Sequence, residues 1–315
     1  MKLKFFFFWL MAALLAACSA GQVTTPTLPA PTMTAPTLPQ PAVDAAPQPV
    51  RPTPTIPAPT AAPTSIPLDA TDWKSWSVIP ALSPEMLDIY KSGQALQRDP
   101  HVVSVVGDCE SSSDWFLKDF SKDERFYDLG PYASLQETID HFKASLGYRS
   151  YAALRGATAP TVLSPLWADP QACEQNETPL ACEYRVHNPS FAFIALGTND
   201  IHKVDQFEPN MRLILEYTLQ QGIVPILVTK ADNLEGDDRI NNTIARLAVE
   251  YHLPVWNFWA AVQPLPGHGL QGDGAHLTFT SNFFNDPENL KGAWAIRNLT
   301  ALQVLEAMRT AVQEK

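Results

Sequence analysis

Three short polar clusters hold the most chemically capable residues of this 315-residue sequence. Gly107-Asp108-Cys109 offers a thiol. Gly197-Thr198-Asn199-Asp200 offers a neutral amide beside a carboxylate. Asp273-Gly274-Ala275-His276 sets a carboxylate three residues before an imidazole. A thiol attacks as its thiolate, with an unperturbed pKa of about 8.5. An imidazole takes up and returns a proton near neutral pH. Asp273 lies close enough along the chain to fix the His276 tautomer and stabilise the imidazolium. An amide such as that of Asn199 donates N–H groups without carrying charge, which suits it to a developing oxyanion. These types together belong to nucleophilic chemistry at an acyl carbon.

Elements far apart in the chain must bring the clusters together. Short apolar, β-branched or aromatic runs at 102–106, 191–196, 223–229 and 254–258 read as strands. Apolar residues at helical spacing fall within 135–146, 209–221, 238–252 and 299–312. Buried strands alternating with amphipathic helices predict an α/β domain with a parallel sheet covered on both faces. In such sheets, sites form beyond the carboxyl ends of the strands. All three clusters are expected at that edge.

In this order, the clusters resemble the conserved blocks of the SGNH (GDSL-like) hydrolases. That family carries Gly-Asp-Ser after its first strand, then a glycine block, a Gly-x-Asn-Asp block and a final Asp-x-x-His. Gly107-Asp108-Cys109, Gly197-Thr198-Asn199-Asp200 and Asp273-Gly274-Ala275-His276 match the first, third and last. Gly156 is the candidate for the glycine block, and the resemblance covers about residues 100–315. It implies a three-layer α/β/α, flavodoxin-like sheet and ester hydrolysis without metal or cofactor. It also implies roles. Cys109 attacks the carbonyl, His276 relays the proton, and Asp273 orients His276. The oxyanion takes N–H groups from the backbone of Cys109 and of Gly156 and from the Asn199 side chain. Asp108 and Asp200 support the site, or bond local backbone in turns.

The sequence departs from the family at the nucleophile, where Cys109 replaces serine. Three readings stand. Cys109 is a working thiol, or the site binds without turnover, or Cys109 is structural, as a buried residue or a disulfide partner. The helpers Asn199, Asp273 and His276 favour the first. Ser111, Ser112 and Ser113 follow closely and either substitute for the nucleophile or, lying past the strand end, cap the next helix, which is the expectation. Trp167, Trp256 and Trp259 either line a sugar-binding cleft or pack in the core. Lys230-Ala231-Asp232-Asn233 falls at the same sheet edge and could touch substrate. His268 reads as a loop histidine. The Gly-x-Gly-x-x-Gly match at 267–272 follows prolines rather than a strand, which argues against a dinucleotide site. No His/Cys spacing marks a metal site.

The remainder of the chain concerns location. Lys2 and Lys4 precede an apolar run that ends in Leu15-Ala16-Ala17-Cys18. This is a secretory signal pattern closing on what resembles a bacterial lipobox, with Cys18 as the lipidated first mature residue. About half of the 29 prolines lie between Pro26 and Pro67, in a segment almost without aromatic or charged residues. Such a segment cannot bury enough apolar area to fold and serves as an extended stalk. The expected organisation is a signal peptide at 1–17, a lipidated linker at 18–70 and the hydrolase-like domain at 71–315. The roughly 245 residues after the stalk suffice for a sizeable core. A net charge of -11 excludes nucleic-acid binding through charge. No later apolar run approaches the ~20 residues of a membrane span. Outside the cytoplasm disulfides are permitted. Cys173 and Cys182 flank a polar loop and are expected to pair, leaving Cys109 free. The expectation is a monomeric, surface-anchored esterase for acylated carbohydrate or small esters. Its rival is a non-catalytic glycan or cell-wall binding module.

Overall fold

Four parallel strands form one sheet in the order β1 (Asp99–Gly107), β2 (Pro189–Ala195), β3 (Val224–Val228) and β4 (Val255–Trp256). The computed structural model describes residues 69–80 and 82–313. The expected signal segment, Cys18 and nearly all of the stalk lie outside the described residues. Helices α1 (Pro84–Ala95), α2 (Cys109–Ser112), α3 (Gln136–Leu146), α4 (Ala159–Val162) and α5 (Pro179–His187) occupy the first half of the fold. Helices α6 (Val204–Gln220), α7 (Arg239–Tyr251), α8 (Phe258–Val262) and α9 (Ala293–Gln313) occupy the second. Among the described residues, no helix is long and apolar enough to cross a membrane.

The strands are apolar along their whole length because both sheet faces are covered. Phe191 and Phe193 of β2 join Val224, Ile226 and Val228 of β3 in one core, under α1, α3, α8 and α9. The alternate residues Ala192, Ile194 and Leu227 face a second core under α4, α5, α6 and α7. Period-two alternation of β-strand side chains makes this division. In α7, Ile240, Ile244, Leu247 and Ala248 are buried at helical spacing.

The expected parallel sheet with helices on both faces is present, with one reduction. Flavodoxin-like order places a further strand outside β1. Here that position holds only an isolated parallel bridge between Gly107 and Ala153. The Gly107 N–H donates to the Ala152 carbonyl (3.1 Å) and the Leu154 N–H to the Gly107 carbonyl (3.0 Å). Buried Glu183 of α5 secures this segment. It accepts the Ser104 hydroxyl of β1 (2.6 Å) and the Tyr151 N–H (2.7 Å). The carboxyl end of β1 is therefore flanked by the residue-153 segment on one side and by β2 on the other.

Element boundaries differ from the sequence reading where side chains cap the ends. The expected strand at 254–258 stops after Trp256. The Asn257 side chain accepts the Ala260 N–H (3.2 Å) and starts α8 instead. The last helix begins at Ala293 rather than 299, where the Thr278 hydroxyl accepts the Ala293 N–H (3.0 Å). Helix α6 begins at Val204 and runs through Pro209, which the reading took as its start. At this sixth helical position the proline forgoes the one bond its N–H would have made to the Asp205 carbonyl. Helix α1, with Ser83 accepting the Met86 N–H (3.2 Å) and Pro84 in its first turn, had not been singled out. Cys173 and Cys182 are joined, pinning the loop before α5 to that helix.

Phe193 is fully buried against Trp256 at the centre of the first core (ring centroids 5.4 Å apart). Phe193→Ala is expected to cost about 3–5 kcal/mol, read as a lowered urea midpoint at unchanged m-value.

Candidate active site at the carboxyl edge of the sheet

β1 turns into α2 with almost no intervening chain. A side chain at Gly107 would place its Cβ 2.4 Å from the Ser111 hydroxyl and 2.8 Å from the Ala195 carbonyl. Only glycine lets the single turn of α2 fold back so tightly. Buried Asp108 caps that turn, its carboxylate accepting the Glu110 N–H (3.1 Å). Cys109 is the first residue of α2, where backbone N–H groups have no partner within the helix. Its thiol is half-buried and free. The reading of Cys109 as a disulfide partner is thereby set aside, since Cys173 and Cys182 take each other.

His276 arrives on the loop before α9. Its Nδ1 lies 2.6 Å from an Asp273 carboxylate oxygen. The other Asp273 oxygen accepts the N–H groups of Ala275 and His276 (both 3.0 Å), so the carboxylate is locked in its own turn. The loop closes through the Gln271 N–H to the His276 carbonyl (2.8 Å). It docks on α2 through the Leu277 N–H to the Glu110 carboxylate (3.3 Å). Ligand-capable atoms of Cys109, Glu110 and His276 all lie within 4.8 Å of one another. The thiol and the imidazole, 167 positions apart in the chain by subtraction of their numbers, thus share one site.

Asn199 follows β2. Its amide donates to the Ala157 carbonyl (3.1 Å), tying it to the turn that contains Gly156. Gly156 has φ +74°, a conformation that glycine adopts freely. Asp200 is buried and accepts the Ala159 N–H (2.9 Å), a backbone group 41 positions away in the chain, not one in its own turn. The Thr198 hydroxyl donates to Asp232 (2.7 Å). Asp232 in turn pairs with buried Lys230, whose ammonium also meets Glu235 (both 2.6 Å). Lys230, expected as a possible substrate contact, is instead consumed in holding the loop beside Asn199.

The buried surroundings are strongly charged. Arg297 of α9 is buried with its guanidinium over the rings of Phe116 (4.7 Å) and Phe258 (5.0 Å), and it donates to the Ser111 hydroxyl (3.2 Å). Burial pushes the Asp108 carboxyl up to about 7, and the nearby Arg297 charge only partly opposes this. Burial raises Glu110 in the same way, again against Arg297. Burial, with the carboxylates of Asp108 and Glu110 alongside, pushes the Cys109 thiol up to about 11. The bond to His276 holds Asp273 down to about 2, and the same bond raises His276. A thiol so placed stays protonated at neutral pH. Attack by such a thiol would need a base to take its proton as it proceeds.

Cys109, Asn199 and His276 line one cavity of about 150 Å³ together with Thr198, Glu110 and His202. Asp273 stands behind His276, and Asp108 is buried beneath the turn. Gly156 occupies the adjoining turn and is not among the cavity-lining residues. Glu110, His202 and Arg297 were not singled out from sequence. Glu110 and His202 sit one and three residues from Cys109 and Asn199, a proximity that could have flagged them. Arg297 had no local signal. The serine run does not cap a following helix. Ser111 is buried against Arg297, and Ser113 accepts the Trp115 N–H (3.1 Å) in a turn. Trp256 is core, Trp259 packs on Trp73 (5.1 Å) and Trp167 is exposed, and none lines the cavity. The 267–272 glycine segment holds the end of a short 3-10 turn (Pro266–Gly269) and then loop, with no helix opening directly after it.

No family model matches the sequence, and comparison with curated proteins finds no match. Solved structures do show similarity. A GDSL-like lipase from Bacteroides thetaiotaomicron is 16% identical, over 71% of this chain and 99% of its own, with a TM-score of 0.41. A psychrotrophic esterase from Pseudoalteromonas is 13% identical, over 66% and 98%, with a TM-score of 0.40. A catalytic mutant of an acetylxylan esterase from Geobacillus stearothermophilus is 14% identical, over 64% and 93%, with a TM-score of 0.39.

The electrostatics set an expectation for thiol chemistry. Iodoacetamide labelling at Cys109, followed by peptide mass spectrometry, should be slow at neutral pH and accelerate toward about pH 11. Glu110→Gln removes one neighbouring negative charge and should move that rise to lower pH.

Proposed function

We propose that the protein is an ester hydrolase that works through Cys109, His276 and Asp273. One observation carries the reading. The Cys109 sulfur and an imidazole nitrogen of His276 lie within 4.8 Å, and Asp273 bonds Nδ1 of that imidazole at 2.6 Å. With Nδ1–H given to Asp273, Nε2 keeps the lone pair that a general base needs. Unliganded sites commonly show such contacts longer than they are during reaction.

The reaction follows from these positions. The sulfur attacks the ester carbonyl carbon while its proton passes to His276 Nε2. The carbonyl π electrons move to oxygen, and the oxyanion takes N–H groups from the Cys109 backbone and from the Asn199 amide. Gly156 supplies a third donor if its turn closes on the substrate. Collapse breaks the carbon–oxygen bond, and His276 returns the proton to the leaving alcohol. Water, deprotonated by His276, then cleaves the thioester and restores the thiol. Trp115 and Phe279 form an exposed aromatic pair (4.7 Å), six and three residues along the chain from Cys109 and His276. Aromatic faces suit the apolar side of a sugar ring, which supports acylated carbohydrate as substrate. Location supports it too. With Cys18 lipidated and the proline-rich segment as a stalk, the enzyme sits outside the cytoplasm as an anchored monomer.

A second reading rests on the raised thiol. Carboxylates beside Cys109 disfavour the thiolate, as would suit a site that binds glycan and no longer turns over.

Hydrolysis of short-chain aryl esters and acetylated oligosaccharides decides between them. Cys109→Ala and His276→Ala should abolish turnover. Asn199→Ala should lower kcat by about 10²–10³-fold. The acid limb of the kcat/KM profile should fall above the ordinary imidazole value of 6.5, because Asp273 raises His276 and the protonated ring cannot act as base. Absence of turnover in the wild-type protein, with glycan binding retained, would favour the binding module.

Anchoring has its own test. Cys18→Ala should release the protein from the membrane fraction and remove the lipid mass from its N-terminus, and an unchanged distribution would discard the anchor.

A further inference from the structure

We infer that Cys109, Glu110 and His276 also form a three-ligand site for a borderline divalent metal ion, Zn²⁺ being the best match, and that a bound ion takes the nucleophile and its base out of hydrolysis. The binding half stands on the cluster itself. The inhibitory half rests on the hydrolytic reading.

Any thiol–imidazole pair offers two ligands. The unusual feature is the third, from the residue directly after the thiol. One atom each from Cys109 (S), Glu110 (O) and His276 (N) lies within 4.8 Å of the other two. Zinc bonds of about 2.0–2.3 Å to S, N and O put neighbouring ligand atoms roughly 3.5 Å apart on a tetrahedron. Side-chain rotation closes that difference. One Glu110 oxygen accepts the Leu277 N–H at a long 3.3 Å, while the other is buried without a hydrogen-bond partner. A buried carboxylate oxygen without a partner is costly and gains by meeting a cation. His276 is already oriented, because Asp273 holds Nδ1 and leaves Nε2 to ligate. A carboxylate behind a ligating histidine is the arrangement that raises ligand basicity at zinc sites.

The donor set selects the ion. One sulfur, one nitrogen and one oxygen suit a borderline-soft metal and not Mg²⁺ or Ca²⁺, which take oxygen ligands. On binding, the Cys109 thiol releases its proton to solvent and a metal–sulfur bond forms. Thiolate and carboxylate together balance the two charges of the ion. Three protein ligands would leave a fourth position for solvent. The other cluster of this type, Cys173, Glu177 and Cys182, cannot compete, since its sulfurs are bonded to each other.

The test uses the mature protein with its disulfide intact and Co²⁺ and Zn²⁺ as probes. Co²⁺ should bind with one equivalent per chain and show a sulfur-to-cobalt charge-transfer band, displaced by Zn²⁺. Cys109→Ala should remove the band. Glu110→Gln and His276→Ala should each weaken Zn²⁺ affinity at least about tenfold, and Asp273→Asn by roughly 10–100-fold. Thermal melts of Cys109→Ser, the closest in shape, establish that lost binding is not lost folding. No saturable Zn²⁺ binding, or equal binding in Cys109→Ala, overturns the site. Unchanged affinity in Glu110→Gln overturns the three-ligand assignment. Ester hydrolysis blocked by Zn²⁺ and restored by chelator supports the inhibitory half. Hydrolysis that proceeds with the ion bound overturns that half alone.

Discussion

A single buried cation underlies the geometry of the site. Arg297, on the last helix, sits among the rings of Phe116, Trp256 and Phe258 and faces the carboxylates of Asp108 and Glu110. Those carboxylates stand on either side of Cys109. Without their counter-charge, two acids at the end of β1 would carry an uncompensated burial cost, which is steep for an ionised group. Arg297 thus fastens the end of the chain to the turn that follows the first strand. Glu110 extends the tie through the Leu277 N–H to the loop that carries His276. Two long-range hydrogen bonds, Arg297 to the Ser111 hydroxyl and the Leu277 N–H to Glu110, tie α9 and the His276 loop to α2 and so bring the imidazole to the thiol.

The same network governs reactivity. Carboxylates that need Arg297 for their own burial press the thiol toward its protonated form. Asp273, bonded to His276 and exposed, favours an imidazolium. The two tendencies run in opposite directions across one short gap. On the proposed hydrolytic reading, proton transfer would have to accompany attack, as it does for a hydroxyl nucleophile. In this respect Cys109 has the sulfur of a thiol enzyme in an electrostatic setting better suited to serine. A cation at the same place would reverse the preference of the sulfur, so the proposed metal site and the proposed hydrolysis would be coupled.

Support around the cavity is distributed over the carboxyl ends of the strands. Asn199 and Asp200 after β2 both bond the 157–159 segment, which continues from the single bridge beside β1. Thr198 leans on the Asp232–Lys230–Glu235 cluster after β3. A full edge strand beside β1 is unnecessary for this. Two backbone hydrogen bonds at Gly107 and the buried Glu183 carboxylate hold the segment in place.

Local pattern alone carried much of the architecture. The apolar runs that became β1, β2 and β3, the periodicity of α3 and α7, and the polar clusters just beyond the strand ends were all legible, because hydrophobic period and turn chemistry act over a few residues. The Asp273–His276 pairing was legible for the same reason. Boundaries at β4 and α9 were not, since Asn257 and Thr278 set them through particular hydrogen bonds; nor was the start of α6, which follows a 3-10 turn with no side-chain cap. Nor were the roles of Arg297, Glu110, His202 and Lys230. Burial decides whether a charged side chain is a solvated surface group or a partner in a network, and burial is a property of the packed chain. Which charges lie around a thiol depends on contacts between residues nearly two hundred positions apart, and only the folded structure brings those into range.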